Sequence, residues 1–397
     1  MNAVAHVRLD ELVTITGGGT PSRSNPDFFN GDIPWVTPKD MKSPELRDSL
    51  IRLTELGLRE SAARLVPSDS VLVVVRSGVL KHSVPIAINR VPVALNQDMK
   101  ALSAGSRLLP EYLAHYLRAA SPVILRWVRA TTADNFPLEK LRDLRVPLPD
   151  LGVQRRIAHI LNQAEAARAY RGESIRDVED LTRSIFLEMF GGLDSNQGQW
   201  LKVTDLATGR DAIRTGPFGS QLLHSEFQDE GIAVLGIDSV VANEFRWVEG
   251  RCISEAKYRQ LRRYTVRPGD VVITIMGTCG RCAIVPDGLP TAINTKHLCC
   301  ITLDTTKCLP EFLQAYFLWH PVARRYLERA AKGAIMSGLN MGIIKALPVP
   351  VVPLEEQAMF VSRREACGEL RSQLRSSLRG LHELFESLRQ RAFAGEL

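Results

Sequence analysis

The sequence predicts an α+β protein made by internal duplication. Two mixed α/β globular parts are each followed by a long helix, and the two helices pair as a coiled coil. Three observations lead there. Whole segments recur at offsets between 198 and 203 residues along the 397-residue chain. Short Val/Ile runs bounded by Pro and Gly read as strands. Two stretches with apolar residues three or four apart read as unusually long helices.

The duplication is legible segment by segment. "LVPSDSVLVVV" from Leu65 returns as "TVRPGDVVITI" from Thr265, matching Pro67 to Pro268 and Asp69 to Asp270. "VPVALN", ending at Asn96, returns as "LPTAIN", ending at Asn294. "LPEYLAHYL" from Leu109 returns as "LPEFLQAYF" from Leu309. "LRVPLPDLGVQ" from Leu144 returns as "LPVPVVPLEEQ" from Leu347, with Gln154 against Gln357. So small a drift in offset means that one two-part unit was copied in tandem.

Taken in order, the first notable element is "TITGGGTPS", Thr14 to Ser22. Glycine turns cradle phosphates where their amides converge on a helix start and a lysine follows. Here no GK[ST] follows, and Pro21 leads into a run of turn formers. "VLVVV" and "DVVITI" predict strands. "PEYLAHYLRAASPVILRWV" and "PEFLQAYFLWHPVARRYLERAA" predict helices, each interrupted by a proline, Pro122 or Pro321. Val-Pro-Leu-Pro and Val-Pro-Val-Val-Pro predict stiff connections that cannot continue a helix.

The long helices come next. From about Val153 to Phe190 the stripe is Ile157, Leu161, Ala164, Ile175, Val178, Leu181 and Ile185. From about Glu355 to Phe393 it is Leu370, Leu374, Leu378, Leu381, Leu388 and Ala392. About 38 residues of helix span roughly 57 Å. One apolar stripe on so long a helix needs a partner, either its own globular part or the other helix; pairing of the two helices is the expectation. The expected boundaries are 1–150 and 193–352 for the globular parts, with helices over 151–192 and 353–397.

Composition narrows the class. Hydrophobic content of 45% and charged content of 24% are ordinary for a soluble globular chain. A net charge of +6 and a pI near 9.0 mildly favour a polyanionic partner. The start "MNAVAHVRLDEL" has no apolar signal core, and no run of about 18 apolar residues occurs, so no membrane partner and a cytoplasmic location are expected. Seven cysteines, an odd number and all in the second half, fit reduced thiols better than a disulfide framework.

Three groups of segments stand in order along the chain: "LDELVTITGGGTPSRSNPDFFNGDIPWVTPKDM", then "VPLPDLGVQRRIAHIL", then "LPVPVVPLEEQ" with "RQRAFAGEL". In these segments, and across the whole globular–helix–globular–helix order, the chain resembles the specificity (S) subunits of type I restriction–modification enzymes. The resemblance implies two target-recognition domains, each reading one half of a bipartite double-stranded DNA site, with two antiparallel helices as a ruler. A tandem copy folds with pseudo-two-fold symmetry and offers two similar surfaces. Two readers on one rod fix the spacing of their half-sites. The globular parts differ more than the helices, so the half-sites should differ in sequence. The alike helices should offer two equivalent docking faces. The resemblance fills them with two methyltransferase (M) subunits and adds restriction/translocase (R) subunits. It assigns no catalytic residue and no cofactor to this chain; S-adenosylmethionine, ATP and Mg would belong to the partners. In this family the glycine–threonine–proline segment leaves the first strand for a loop, so Gly17 to Gly19 should supply positive φ and close backbone approach rather than a nucleotide cradle.

Two other classes compete: a fused methyltransferase/endonuclease chain, and a coiled-coil scaffold without a DNA role. "NPDF", Asn25 to Phe28, is one substitution from the Asn-Pro-Pro-Phe motif of amino-methyltransferases, but Asp27 replaces the second proline. No GxxxxGK[ST] occurs. Pro149-Asp150 and Pro286-Asp287 lack the acid-x-Lys element of a nuclease cluster and read as loops. "CGRC" (Cys279, Cys282) and "CC" (Cys299, Cys300) have the spacing of a Cys₄ zinc site. Adjacent cysteines seldom both reach one ion, and the first copy has none, so no metal site is expected.

DNA reading needs side chains that reach base edges, with Lys and Arg on phosphates. In the first copy the loop candidates are Thr20, Ser22, Arg23, Lys39, Arg76, Ser77, Lys81, His82, Asn96 and Gln97. In the second they are Arg210, Arg214, Ser220, Gln221, Asn294, Thr295, Lys296, His297 and Asn340. Asn96 and Asn294 are repeat equivalents and could instead serve the fold. Residues that differ between copies, such as Lys81 and Lys296, are better placed to read sequence.

Overall fold

The computed structural model describes residues 4–129, 134–194, 198–209, 211–332 and 338–397. The chain divides into two compact units, Met1–Gly172 with Ser376–Leu397, and Glu173–Arg375. Its principal helices are α1 (Pro110–Leu125), α2 (Leu151–Phe190), α3 (Pro310–Trp319), α4 (Pro321–Lys332) and α5 (Leu354–Ala394). The long helices α2 and α5 each lend one half to each unit. Among the described residues, no helix is long and apolar enough to cross a membrane.

The first unit holds seven principal strands: β1 (Val13–Gly17), β2 (Phe29–Val36), β3 (Leu65–Val66), β4 (Val71–Val74), β5 (Ile86–Asn89), β6 (Val93–Leu95) and β7 (Met99–Ala104). One sheet has the order β1–β7–β4–β5, with Glu45–Leu46 at its edge; these four principal strands run antiparallel. The other has Arg52–Leu53, β2, β6 and β3 in order, with β2 and β6 parallel. The run of valines in β4 has no polar alternation because both of its faces are covered. Val71 and Val73 pack with Tyr112, Leu113 and Leu117 of α1 and with Ile157 and Leu161 of α2. Leu72 and Val74 pack on the other side with Val36, Val66, Val93 and Leu95.

The second unit repeats this plan with seven counterparts: β8 (Ile213–Thr215), β9 (Ile232–Leu235), β10 (Thr265–Val266), β11 (Val271–Thr274), β12 (Cys282–Ile284), β13 (Ala292–Asn294) and β14 (Leu298–Ile301). Their orders are β8–β14–β11–β12 and Cys252–Ile253, β9, β13, β10, with β9 and β13 parallel. The fold class is thus an α+β duplication with paired long helices.

Helix pairing is visible within each unit. In the second, Glu179 of α2 meets Arg371 and Arg375 of α5, while Phe186 stacks edge-on against Phe360. A rising position on α2 therefore meets a falling one on α5, and the halves run antiparallel. In the first unit Arg168 of α2 lies 4.6 Å over the Phe385 ring of α5 and bonds His382. The expected stripe holds at Ile157, Leu161, Val178 and Leu374, which are buried. It fails at Leu181 and Leu370, which are 49% and 45% exposed. Phe186, Phe360 and Phe385 supply the buried anchors instead. Asp150 caps α2 by accepting from the amides of Gly152 and Val153. Gly395, at φ 80°, terminates α5.

Three sequence expectations are corrected here. Strands β3 and β4 map onto β10 and β11 at a constant offset of 200, so Ser70, not Asp69, is the counterpart of Asp270. Asp69 matches Gly269 instead: both sit at positive φ, 60° and 79°, in the turn that feeds the strand. Pro122 does not interrupt α1, which runs through it. Pro321 does separate α3 from α4, because His320 turns to extended geometry (φ −69°, ψ 130°). Its ring fixes the break, bonding the Phe190 carbonyl through Nε2 and accepting the Val322 amide at Nδ1. Finally, none of Gly17 to Gly19 has positive φ.

Candidate nucleic-acid interface

Strand directions bring the candidate loops of the first unit to one end of its sheets. β2 and β6 are parallel, with Val36 beside Leu95, so Thr37–Asp40 and Asn96–Asp98 leave the sheet together. β7 starts where β4 ends, with Met99 against Val74, which sets Arg76 beside Asp98. β1 ends at the same place, Gly17 facing Lys100. The loop from β4 to β5, carrying Ser77, Lys81 and His82, departs from this end as well.

The glycine segment is a packing device. A Cβ on Gly18 would lie 2.0 Å from the Asn96 carbonyl oxygen, and one on Gly19 would lie 2.2 Å from backbone of Ala62. The Gly19 amide bonds the Leu95 carbonyl, and the buried Trp35 indole donates to the Gly19 carbonyl. This close approach projects Thr20, Ser22 and Arg23 outward, all exposed. "NPDF" is a capped turn: the Asn25 side chain accepts the Asp27 amide and Phe28 is buried.

Lys39 is exposed on a turn pinned by Asp40, which accepts the Thr37 amide and hydroxyl and the Leu50 amide. Arg76 is half exposed and bonds Asp98 at 2.6 Å. Lys81, His82 and Gln97 are exposed. Asn96 is buried and closes the β6–β7 turn through Asp98. Asp98 and Lys100 were not singled out from sequence. Burial holds the Lys100 ammonium below the usual lysine range, opposed by the nearby Asp98 charge. The signal available for Asp98 was its place two residues after Asn96, the spacing of an Asx turn.

The second unit gathers its loops the same way. β9 and β13 are parallel, so Gly236–Ser239 and Thr295–His297 emerge together. β14 begins where β11 ends, Leu298 against Thr274, and the Ile275 amide bonds the His297 carbonyl. Gly216 repeats Gly18, with its missing Cβ 2.0 Å from the Asn294 carbonyl oxygen. Ser220 and Gln221 lie in the loop beyond it, Gln221 accepting the Tyr264 hydroxyl. Lys296 and His297 are partly exposed. Burial lowers the His297 pKa first, and Lys296 adds to it, favouring a neutral ring. Thr295 is partly buried, while Asn340 is exposed and caps a short helical turn. Asn294 is buried and donates to the Leu298 carbonyl, a fold role like that of Asn96.

Arg210 lies outside the described residues, and one described candidate is not brought to this surface. Arg214 points from β8 into the unit, where it bonds Asp270 at 2.7 Å, the Thr265 carbonyl and the Thr302 hydroxyl. Its side chain is 10% exposed and that of Asp270 fully buried.

The cysteines divide between faces. Cys282 and Cys299 both sit against Ile273 in the core beneath α3, whereas Cys300 belongs to the opposite core and its thiol donates to Asp270. Strand alternation therefore separates the adjacent pair. Burial pushes the Cys299 thiol up to about 12, and it raises the Cys282 and Cys300 thiols as well. Among the described residues, no group of three His, Cys, Asp or Glu side chains has metal-binding geometry.

Comparison with known proteins places this architecture. The family model described as "Type I restriction modification DNA specificity domain" matches residues 1–173 and 253–369. The EcoR124I/EcoR124II specificity subunit of Escherichia coli is 36% identical over 158 residues, 39% of each chain. The EcoBI specificity subunit of Escherichia coli is 25% identical over 73% of this chain and 64% of its own. The MjaIX specificity subunit of Methanocaldococcus jannaschii is 25% identical over 46% of this chain and 42% of its own. The alignments thus span less than two thirds of these relatives' lengths. A type I S subunit from M. genitalium shares the fold at a TM-score of 0.56 and 13% identity, over 99% of this chain and 97% of that one. A chain from a type I system, solved to explain complex assembly and conformational transition, gives 0.63 at 18% identity, over 99% and 98%. With the family model covering well over half of its length, the chain belongs to the type I restriction–modification specificity family, whose members are non-catalytic specificity subunits.

Proposed function

We propose that this specificity subunit binds double-stranded DNA and reads a bipartite site, one half through each unit. Residues 1–150 and 193–352 are the two target-recognition domains, and 151–192 and 353–397 the spacer helices. The observation that carries this reading is the shared end of the sheets in both units. The same frame delivers unlike side chains there: Thr20, Arg23, Lys39, Arg76 and Lys81 in one, Ser220, Lys296 and His297 in the other. Unlike side chains on a common frame are what two different half-sites require. Arg214, Asn96 and Asn294 leave the list of readers, because each is held inside its unit.

The helices set the separation of the half-sites and dock two methyltransferase subunits, with restriction/translocase subunits joining them. Leu181 and Leu384, equivalent at the offset of 203, support two matching faces, being 49% and 51% exposed. S-adenosylmethionine, ATP and Mg act in those partners. Methylated-adenine mapping of the source genome with and without the gene tests the reading: one bipartite motif should vanish on deletion. Unchanged methylation would refute it. Inserting residues in one spacer helix should change the tolerated gap between half-sites, and an unchanged gap would remove the ruler.

A further inference from the structure

A cleft of 410 Å³ in the second unit is lined by Arg183, Asn243, Arg281, Trp319 and Arg324. Its floor is rigid. The Thr274 hydroxyl donates to the Thr278 carbonyl and accepts the Arg281 amide, while the Gly280 amide bonds the Thr274 carbonyl. Gly280 takes φ 82°, and the Arg324 guanidinium lies 3.9 Å from where its Cβ would be. Among the described residues, no carboxylate lines the cleft. Arg183 and Arg281 make no ion pair among the described residues, and Arg324 has one partner, Glu328, at its exposed side. Three guanidinium groups around one opening repel one another until an anion enters, and their planar forks suit phosphate oxygens.

The cleft adjoins the candidate reading surface. Arg281 closes the turn after β11, and the next residue past β11, Ile275, bonds His297 through backbone. Neighbouring strands lie only about 4.8 Å apart. The fold alone does not demand this cluster. The counterparts in the first unit are Glu386 for Arg183 at the helix offset, Pro85 for Arg281 by strand register, and Leu125 for Arg324 by the matched prolines. No arginine occupies the first unit at these three places.

We infer that Arg183, Arg281 and Arg324 form a clamp for DNA backbone phosphates beside the half-site read by the second unit, and that the first unit has no such clamp. The inference rests on the DNA-reading proposal and adds an asymmetry to it. Phosphate contacts raise affinity without choosing sequence and register in the salt dependence.

The test uses the full chain assembled with its methyltransferase subunits, a genomic fragment carrying the methylated motif, and a scrambled duplex. Replacing all three arginines (Arg183→Gln, Arg281→Gln, Arg324→Gln) should make the negative slope of log affinity against log salt shallower by roughly 2 to 3. A fourfold rise in salt then costs the variant about 40-fold less affinity than it costs the wild type. Preference for the motif over the scrambled duplex should be unchanged, and the triple Arg→Lys variant should keep the wild-type slope. If the triple Gln variant does not fold, each single variant should lose just under one from the slope. A wild-type slope in the Gln variants overturns the clamp while leaving DNA reading intact. An unaltered slope with loss of methyltransferase assembly would assign the cleft to an acidic protein face instead. A wild-type complex that binds neither duplex in a salt-dependent way refutes both proposals.

Discussion

The two units share a skeleton and differ in what they bury at one matched position. The skeleton is sealed by equivalent side chains. Gln154 accepts the Leu109 amide and donates to the Arg107 and Pro149 carbonyls; Gln357 does the same with Leu309, Lys307 and Val352. The Tyr116 hydroxyl donates to the Arg145 carbonyl, and Tyr316 repeats this on Pro348. At the matched position the chemistry parts. The first unit has Ser70 bonded to Ser103, and Thr16, opposite Ala101, stands where the second unit has Arg214, opposite Cys300. The second has Asp270 bonded to Thr302 and to Arg214. Bonds from side chain to backbone hold in both copies because they satisfy chain geometry that both must adopt. Where side chains also meet one another, a neutral pair can be exchanged for an ion pair if every partner changes with it.

That contrast can be broken directly. Arg214→Ala or Asp270→Ala leaves one buried charge alone and should cost about 3–5 kcal/mol, measured by denaturant unfolding. Ser70→Ala removes a neutral bond and should cost about 1 kcal/mol. A joint exchange that gives the second unit the first unit's residues, Arg214→Thr with Asp270→Ser, should recover much of the single-variant loss. A double variant as unstable as the sum of the singles would show that the two residues are not coupled.

The glycines at the loop entrance should behave alike in both units. Gly18→Ala and Gly216→Ala each push a methyl group onto carbonyl oxygen 2.0 Å away. Each should destabilise by about 1–3 kcal/mol and weaken DNA binding by displacing the following loop. A stable Gly216→Ala protein beside a damaged Gly18→Ala one would mean that only the first loop is fixed by this approach.

A smaller difference should appear with pH. Burial lowers the pKa of both His115 and His320. His115 bonds Asn162 at Nε2 but has no partner at buried Nδ1, whereas His320 is partnered at both nitrogens. The unfolded chain therefore binds more protons below its ordinary histidine pKa of about 6.5. Stability contributed by the neutral rings is full above that value and is lost as pH falls through the lower folded pKa values. Unfolding free energy should decline on acidification from pH 7, and replacing either histidine by glutamine should flatten the decline. An unchanged slope in both variants would refute the assignment.

Much of this was legible in local sequence. The Val-rich runs mark strands because β4 and β11 are covered on both faces, and the helical stripe holds at Ile157, Leu161 and Val178. The Gln154–Gln357 match, seen first as letters, is one hydrogen-bond arrangement repeated. The candidate surface was legible in part, since the loops carrying Lys39, Lys81 and Lys296 do emerge at the shared sheet ends. The inward turn of Arg214 was not, because an arginine on a short strand gives no local sign of which face it takes. Arg183, Arg281 and Arg324 are 43 to 141 residues apart and become neighbours only through folding.

The sequence by itself determined the duplication, the element types and the long paired helices, because these follow from periodicity and from the conformational limits of Pro and Gly. Tertiary structure decided the strand register, which moves Asp270 from Asp69 to Ser70. It decided that Pro122 is carried inside a helix while Pro321 starts a new one, since only the second has His320 to hold the break. It also decided which charges meet solvent and which meet each other. The physical reason is common to all three. Periodicity is a property of neighbouring residues, whereas burial, register and charge pairing depend on groups that approach from distant parts of the chain.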